Sequence, residues 1–338
     1  METLNELLRS CAGGETIDLK DESHGAASIR GFKFDVPVTV TGGRFDDLDL
    51  TDCAGLTFRH TKFFCPNVPQ VYHRHRTTGC DRIRFETCEF FGDDSVPVEE
   101  NHAMATLVRN SSNVSYIGCE AHHLMHAFGF MNVKNFECIG NEFHDLRVDA
   151  IRGGEVDGLL IEKNYMTDFY PVDTGGSGDH PDAIQIWEYA NQDNKNIVIR
   201  DNHVERGKGR PVQGIFLRGS YTGSEGFENV TITGNVLIGC LYNAIMVSNA
   251  RGAVVTGNSI HWLEDMHKTW LRIHDVEGEI SGNTAPLWHG DVPEDRNTIN
   301  REIWTPPTPP APPVVEVPGI ETIVLKPGET ITITVPEK

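Results

Sequence analysis

The sequence predicts an all-β chain wound into about ten stacked coils of parallel strands. Three observations predict it. A short phrase recurs as NFECIGNEF (135–143), LLIEKNYM (159–166), NIVIRDNHV (196–204), NVTITGNVL (229–237) and GAVVTGNSI (252–260). Its asparagine falls at Asn141, Asn164, Asn202, Asn235, Asn258 and Asn283, at intervals of 23, 38, 33, 23 and 25 residues. The flanking residues alternate: Ile197 and Ile199 enclose Val198, and Val230, Ile232 and Leu237 repeat the arrangement. That period of two belongs to strands.

Taken in order, Leu4, Leu7 and Leu8 fit a short amphipathic helix within residues 1–14, closed by Gly13 and Gly14, that covers the open end of the first coil. The coils follow over 15–304. Cys119, Cys88, Thr61 and Gly43 extend the asparagine slot backwards in matching frames. Asparagine suits a corner because it tolerates the left-handed backbone and its amide can bond the next one in the stack. Of eight cysteines, Cys138 takes an inward strand slot and Cys88 and Cys119 take the corner. Buried reduced thiols are the plain reading, with a Cys88–Cys119 bridge as the geometric alternative.

A third strand lies between successive corner phrases: VDAIRGG (148–154), PDAIQIW (181–187), VQGIFLR (212–218), YNAIMVS (242–248) and TWLRIHD (269–275). Aligned, these stack Asp149, Asp182, Gln213 and Asn243 in one column and send Ile151, Ile184, Ile215 and Ile245 inward. Arg152, Gln185, Phe216 and Met246 face out, followed by Gly154, Trp187, Arg218 and Ser248. Beyond the coils, TPPTPPAPP (305–313) is a stiff spacer, and 314–338 reads as a hairpin turning at Lys326, Pro327 and Gly328. Its Ile323, Leu325, Ile331, Ile333 and Val335 are too few to make a core alone, which predicts self-association into a homotrimer.

This repeat resembles the right-handed parallel β-helix of the pectate lyase-like superfamily over about residues 15–290. With the assembly-like tail and no basic, apolar leader at the amino terminus, the chain is similar to phage tailspike and depolymerase proteins. The resemblance implies polysaccharide binding in a groove along the third strand. It also implies glycosidic cleavage by hydrolysis or β-elimination, other virion or tail proteins as partners, and a location in the virion or outside the cell. A non-catalytic virion fibre or glycan-binding protein is the alternative, and a uronan epimerase a further one, matched loosely by DHPD (179–182).

The coil between Asn164 and Asn202 is longer than its neighbours, and its excess brackets DHPDAIQIWEY (179–189). Long loops on a rigid solenoid tend to carry function. Asp149 and Asp182 would lie a strand spacing apart, so one carboxyl should bind its proton more tightly unless a cation or an arginine intervenes. The pair can divide acid and base work, hold Ca2+, or merely cap strand starts as Gln213 and Asn243 do. His180 can transfer a proton, oriented by Asp179 or Asp182. Trp187 and Tyr189 can stack on sugar faces, and Gln185, Arg152, Arg218 and Asp179 can bind sugar polar groups. HHLMH (122–126) has the composition of a metal cluster but no partner ligand. A net charge of −20 argues against nucleic acid and favours neutral glycans unless arginine or a divalent cation lines the groove. No apolar run reaches membrane-spanning length.

Overall fold

The computed structural model describes residues 3–68, 73–172, 178–188, 194–219, 226–266 and 268–305. All but Thr305 of these belong to one compact unit, 1–304. Tyr189, most of the Gly-rich loop before Asp179, the proline spacer and the hairpin lie outside the described residues.

The helix is Leu4–Arg9, with Leu4 and Leu8 in the core. Thr3 caps it reciprocally with Glu6, which satisfies two of the first-turn N–H groups. From Thr16 onward the chain is strand after strand, every ladder parallel. Each circuit visits three ladders. One begins at Thr16–Asp18 and runs through 33–41 and 54–59 to 276–281, with eleven strands among the described residues. A second carries the short strands after each asparagine slot. The third forms the groove and holds 73–78, 104–109, 126–131, 149–154, 182–187, 213–218, 242–248 and 269–274.

Alternation sorts the side chains as the sequence predicts: Ile151, Ile184, Ile215 and Ile245 are fully buried. Toward the amino-terminal end the same interior is filled by rings. Phe63 stacks on Phe90 at 4.6 Å, Phe85 on Tyr116 at 4.7 Å and Tyr116 on Phe128 at 4.2 Å. Stacked rings add about 0.5–1.5 kcal/mol per pair to the burial of their apolar area.

The asparagine slot differs from its expected backbone. The left-handed residue is the one before it, at Gly140, Lys163, Asp201, Gly234, Gly257 and Gly282, and none of the six asparagines has positive φ. What selects asparagine is the ladder. Asn164 Nδ2 donates to Asn202 Oδ1 at 2.8 Å and Asn202 Nδ2 to Asn235 Oδ1 at 2.9 Å, and the chain continues to Asn258 and Asn283. Each amide also satisfies backbone: Asn202 Oδ1 accepts from Asn164 N and Asn202 Nδ2 donates to Ile161 O. Left-handed asparagines sit at the other, exposed corner, among them Asn113, Asn135, Asn196 and Asn229. The cysteines are free thiols. Cys119 and Cys88 continue the slot by donating S–H to Phe85 O at 3.4 Å and Phe58 O at 3.3 Å, donors that a bridge between them would remove.

Candidate active site

Register sets three columns on the groove ladder, a buried one at the strand starts and two that face outward. The first runs His73, Met104, His126, Asp149, and then Asp182 beside Gln213. The second runs Arg76, Leu107, Gly129, Arg152, Gln185, Phe216 and Met246. The third pairs Arg109 with Met131 and Gly154, and Trp187 with Arg218 and Ser248. A cavity of about 260 Å³ opens among Arg152, His180, Gln185, Trp187, Phe216 and Arg218.

Under that cavity the two aspartates are joined through backbone. Asp182 N donates to Asp149 Oδ1 at 3.0 Å. Asp149 Oδ2 lies 3.1 Å from Arg152 Nη1 and 3.1 Å from His126 Nδ1. Asp182 Oδ2 accepts from His180 Nδ1 at 2.8 Å and from Gln185 Nε2 at 2.7 Å, while its Oδ1 is buried without a hydrogen bond. Asp149 and Asp182 are 1% and 0% exposed, whereas the His180 side chain is 60% exposed. The only member of the trio that presents a proton-transfer atom to the groove is therefore His180.

Both expected devices for separating two close carboxyls are present. Arg152 sits on Asp149, and the Asp182 carboxyl is pushed up to about 7 by burial, with the neighbouring Asp149 charge adding to it against the His180 contact. The hydrogen bond to Asp182 raises His180 above the ordinary imidazole value, with burial opposing. Burial thus favours the proton on Asp182 while the hydrogen bond favours it on His180, so the pair shares one proton across the 2.8 Å contact.

The sense of the couple is set from three coils away. The Trp270 indole N–H can only donate, and it reaches Asn243 Oδ1 at 2.8 Å. Asn243 Nδ2 then donates to Gln213 Oε1, and Gln213 Nε2 to His180 Nε2 at 3.0 Å. Since His180 Nε2 accepts, the ring proton resides on Nδ1, facing Asp182. Trp270→Phe removes the one obligate donor, so nitrogen NMR of that variant is expected to show the Nε2–H tautomer of His180 gaining population at neutral pH. Unchanged ring-nitrogen shifts would mean that the amide chain does not orient the histidine.

The cluster does not fit Ca2+. That ion takes about six to eight oxygen ligands. Here three of the four carboxylate oxygens already face nitrogen groups, and the Arg152 guanidinium adds positive charge.

The match to known proteins lies over this same stretch. A family model described as the right-handed β-helix region matches residues 77–260, more than half of the chain. The chain belongs to the right-handed β-helix family. An exopolygalacturonase of Yersinia enterocolitica superposes on this β-helix with a TM-score of 0.55 at 9% identity, covering 87% of this chain and 71% of the other. A Streptococcus pneumoniae surface protein and adhesin gives 0.49 at 14%, over 84% and 85%. The receptor-binding tailspike of bacteriophage Det7 gives 0.32 at 10%, over 94% and 77%. At 9% identity the likeness to the exopolygalacturonase shows the fold alone. Among curated proteins none matches the chain.

Of the residues singled out in the β-helix sequence, the fold gathers Asp149, Asp182, His180, Gln185, Arg152, Trp187 and Arg218 at one cavity. Arg152 lies over the half-buried Trp187 ring at 5.0 Å. Asp179 is placed elsewhere: Arg147 grips it at 2.8 and 3.0 Å and Val172 N donates to it, so its carboxyl stays below the ordinary range although burial opposes this. HHLMH is split by a register shift between Leu124 and His126. His122 stacks on His144 in another ladder at 5.0 Å, while His126 joins the groove. Among the described residues no three His, Cys, Asp or Glu side chains converge to hold a metal. Gln213, read only as a strand cap, touches His180. His73, Arg76 and Arg109 were missed, although HRHRTT (73–78) and MATLVR (104–109) carry the signal as earlier rungs of the same ladder.

Proposed function

We propose that the chain grips an acidic polysaccharide of a bacterial surface along the groove and cleaves it by β-elimination, with His180 as the base. The observation that carries this is the contrast within the trio: an exposed imidazole backed by two buried carboxyls. Two-carboxylate hydrolysis needs both acids at the sugar, and Asp149 and Asp182 lie beneath the surface.

In the proposed step the substrate displaces Gln213 from His180 Nε2. That nitrogen takes the proton from the carbon next to a sugar carboxylate. The electron pair forms the new double bond as the glycosidic C–O bond breaks, and the leaving oxygen takes a proton from water. Asp182 stabilises the imidazolium through Nδ1–H. Arg152 and Arg218 face the carboxylate, and Trp187 and Gln185 hold the sugar. A virion or extracellular setting and a homotrimer built on 314–338 belong to the same proposal, supported by the tail sequence.

Incubation with purified bacterial surface polysaccharides tests it. Reducing ends and unsaturated-uronate absorbance rising together support elimination. Reducing ends alone would make the chain a hydrolase, and binding without either would make it a glycan-binding protein.

A further inference from the structure

A second cavity, of about 420 Å³, opens on the same face toward the amino-terminal coils. It shares Arg152 and Trp187 with the first, and is otherwise lined by His73, Arg76, Met104, Leu107, Arg109, Gly129, Phe130 and Met131. Two features distinguish it. Its floor is apolar, formed by Met104, Leu107 and Met131 around Gly129, which takes the outward position between Leu107 and Arg152 where a Cβ would already crowd His73 Nε2 at 3.2 Å and Leu107 Cδ1 at 3.3 Å. Its rim carries three guanidinium groups and no carboxylate.

The rim is not neutralised throughout. Arg76 pairs with Asp47 at 2.9 Å and Arg152 with Asp149 at 3.1 Å. Arg109 is exposed, and its side chain makes no ion pair or hydrogen bond among the described residues. His73 Nε2 is buried and lacks a hydrogen-bond partner. Burial, followed by the charges of His126, Arg152, Arg109 and Arg76, depresses His73 to about 3, so this ring stays neutral among cations. In a chain of net charge −20 this is a local reversal of sign, and such a concave patch focuses anions. The groove thereby supplies the arginine that an anionic glycan needs.

We propose that this cavity is a subsite for a carboxylate-bearing sugar and the N-acylated sugar linked to it, continuous with the cavity at His180. Arg109 meets the carboxylate, His73 Nε2 meets a polar group of the same pair of sugars, and the Met104, Leu107 and Met131 floor takes the acyl methyl. The inference rests on the proposed polysaccharide reading and names its substrate class more closely.

Calorimetric binding of hexasaccharides to the full chain tests it, each probe isolating one feature. Hyaluronan hexasaccharide carries carboxylates and acetamido groups, oligogalacturonate only carboxylates, and chitohexaose only acetamido groups. Hyaluronan hexasaccharide is expected to bind most tightly and chitohexaose least. Arg109→Gln is expected to weaken the carboxylated probes by about tenfold or more and leave chitohexaose unchanged. Arg272→Gln, on the same ladder near its far end, controls for diffuse charge and is expected to change neither. Equal binding of chitohexaose and hyaluronan hexasaccharide, no binding of any carboxylated probe, or full affinity in Arg109→Gln would overturn the subsite. Equal losses in both arginine variants would do so too, and oligogalacturonate matching hyaluronan hexasaccharide would overturn its acyl part. Because the readout is binding, the two proposals fail separately: tight, Arg109-dependent binding without cleavage of any polysaccharide keeps the subsite and removes the lyase, and cleavage with Arg109-independent binding does the reverse.

Discussion

Asp182→Asn is expected to lower polysaccharide cleavage by about 10²–10⁴-fold and, at the same time, to raise the melting temperature of the protein above pH 7. The activity loss follows from removing the group that stabilises the His180 imidazolium. The stability gain follows from the sign of the carboxyl shift. Asp182 is raised from 3.8 to about 7 by burial, so the fold prefers its protonated form. Its contribution is fully present below pH 3.8 and is lost as pH rises to 7. A shift of that size corresponds to at most about 4 kcal/mol. Asparagine carries no charge at any of these pH values, so the variant escapes the loss. Replacing the carboxylate in its bonds with His180 and Gln185 offsets part of this, at about 1 kcal/mol each. Residual activity has its own signature. Without the Asp182 hydrogen bond His180 falls back toward its ordinary value, so the rising limb of the pH–rate curve should move to lower pH. Parent-like activity, or a melting-temperature difference that stays constant from pH 4 to pH 8, would take Asp182 out of the couple.

The second large effect concerns the scaffold. Asn202→Ala is expected to destabilise the protein by about 3–5 kcal/mol, read by denaturant unfolding. The alanine leaves Asn164 N and Ile161 O buried without their partner and breaks the amide ladder in mid-stack. Asn202→Cys should recover part of the loss, because Cys88 and Cys119 fill equivalent slots by donating to a carbonyl of the preceding coil. A loss under about 1 kcal/mol for the alanine variant would show that neighbouring coils or water satisfy these groups.

Much of the candidate site was legible because one column of a solenoid can be read by alignment alone. Asp149, Asp182 and Gln213 were placed together by lining up VDAIRGG, PDAIQIW and VQGIFLR, and the backbone bond from Asp182 to Asp149 follows from that register. Asp179 went astray for a different reason. Its partner Arg147 lies 32 residues away, across a long loop, and nothing in DHPD distinguishes it from Asp182.

The sequence by itself determined the winding: alternation decides which side chains face the interior, and a recurring asparagine marks each corner and bonds it to the next, since both act between neighbours in one chain segment or one stack. Only the tertiary structure decided what the outward groups do. It buried Asp149 and Asp182 and left His180 exposed, split HHLMH at a register shift, oriented His180 through Gln213, Asn243 and Trp270, and brought His73, Arg76 and Arg109 beside Trp187. The physical reason is that outward partners come from different coils. Their meeting depends on how coils of unequal length stack and on which rotamers that stacking leaves open, and neither is written in any single repeat.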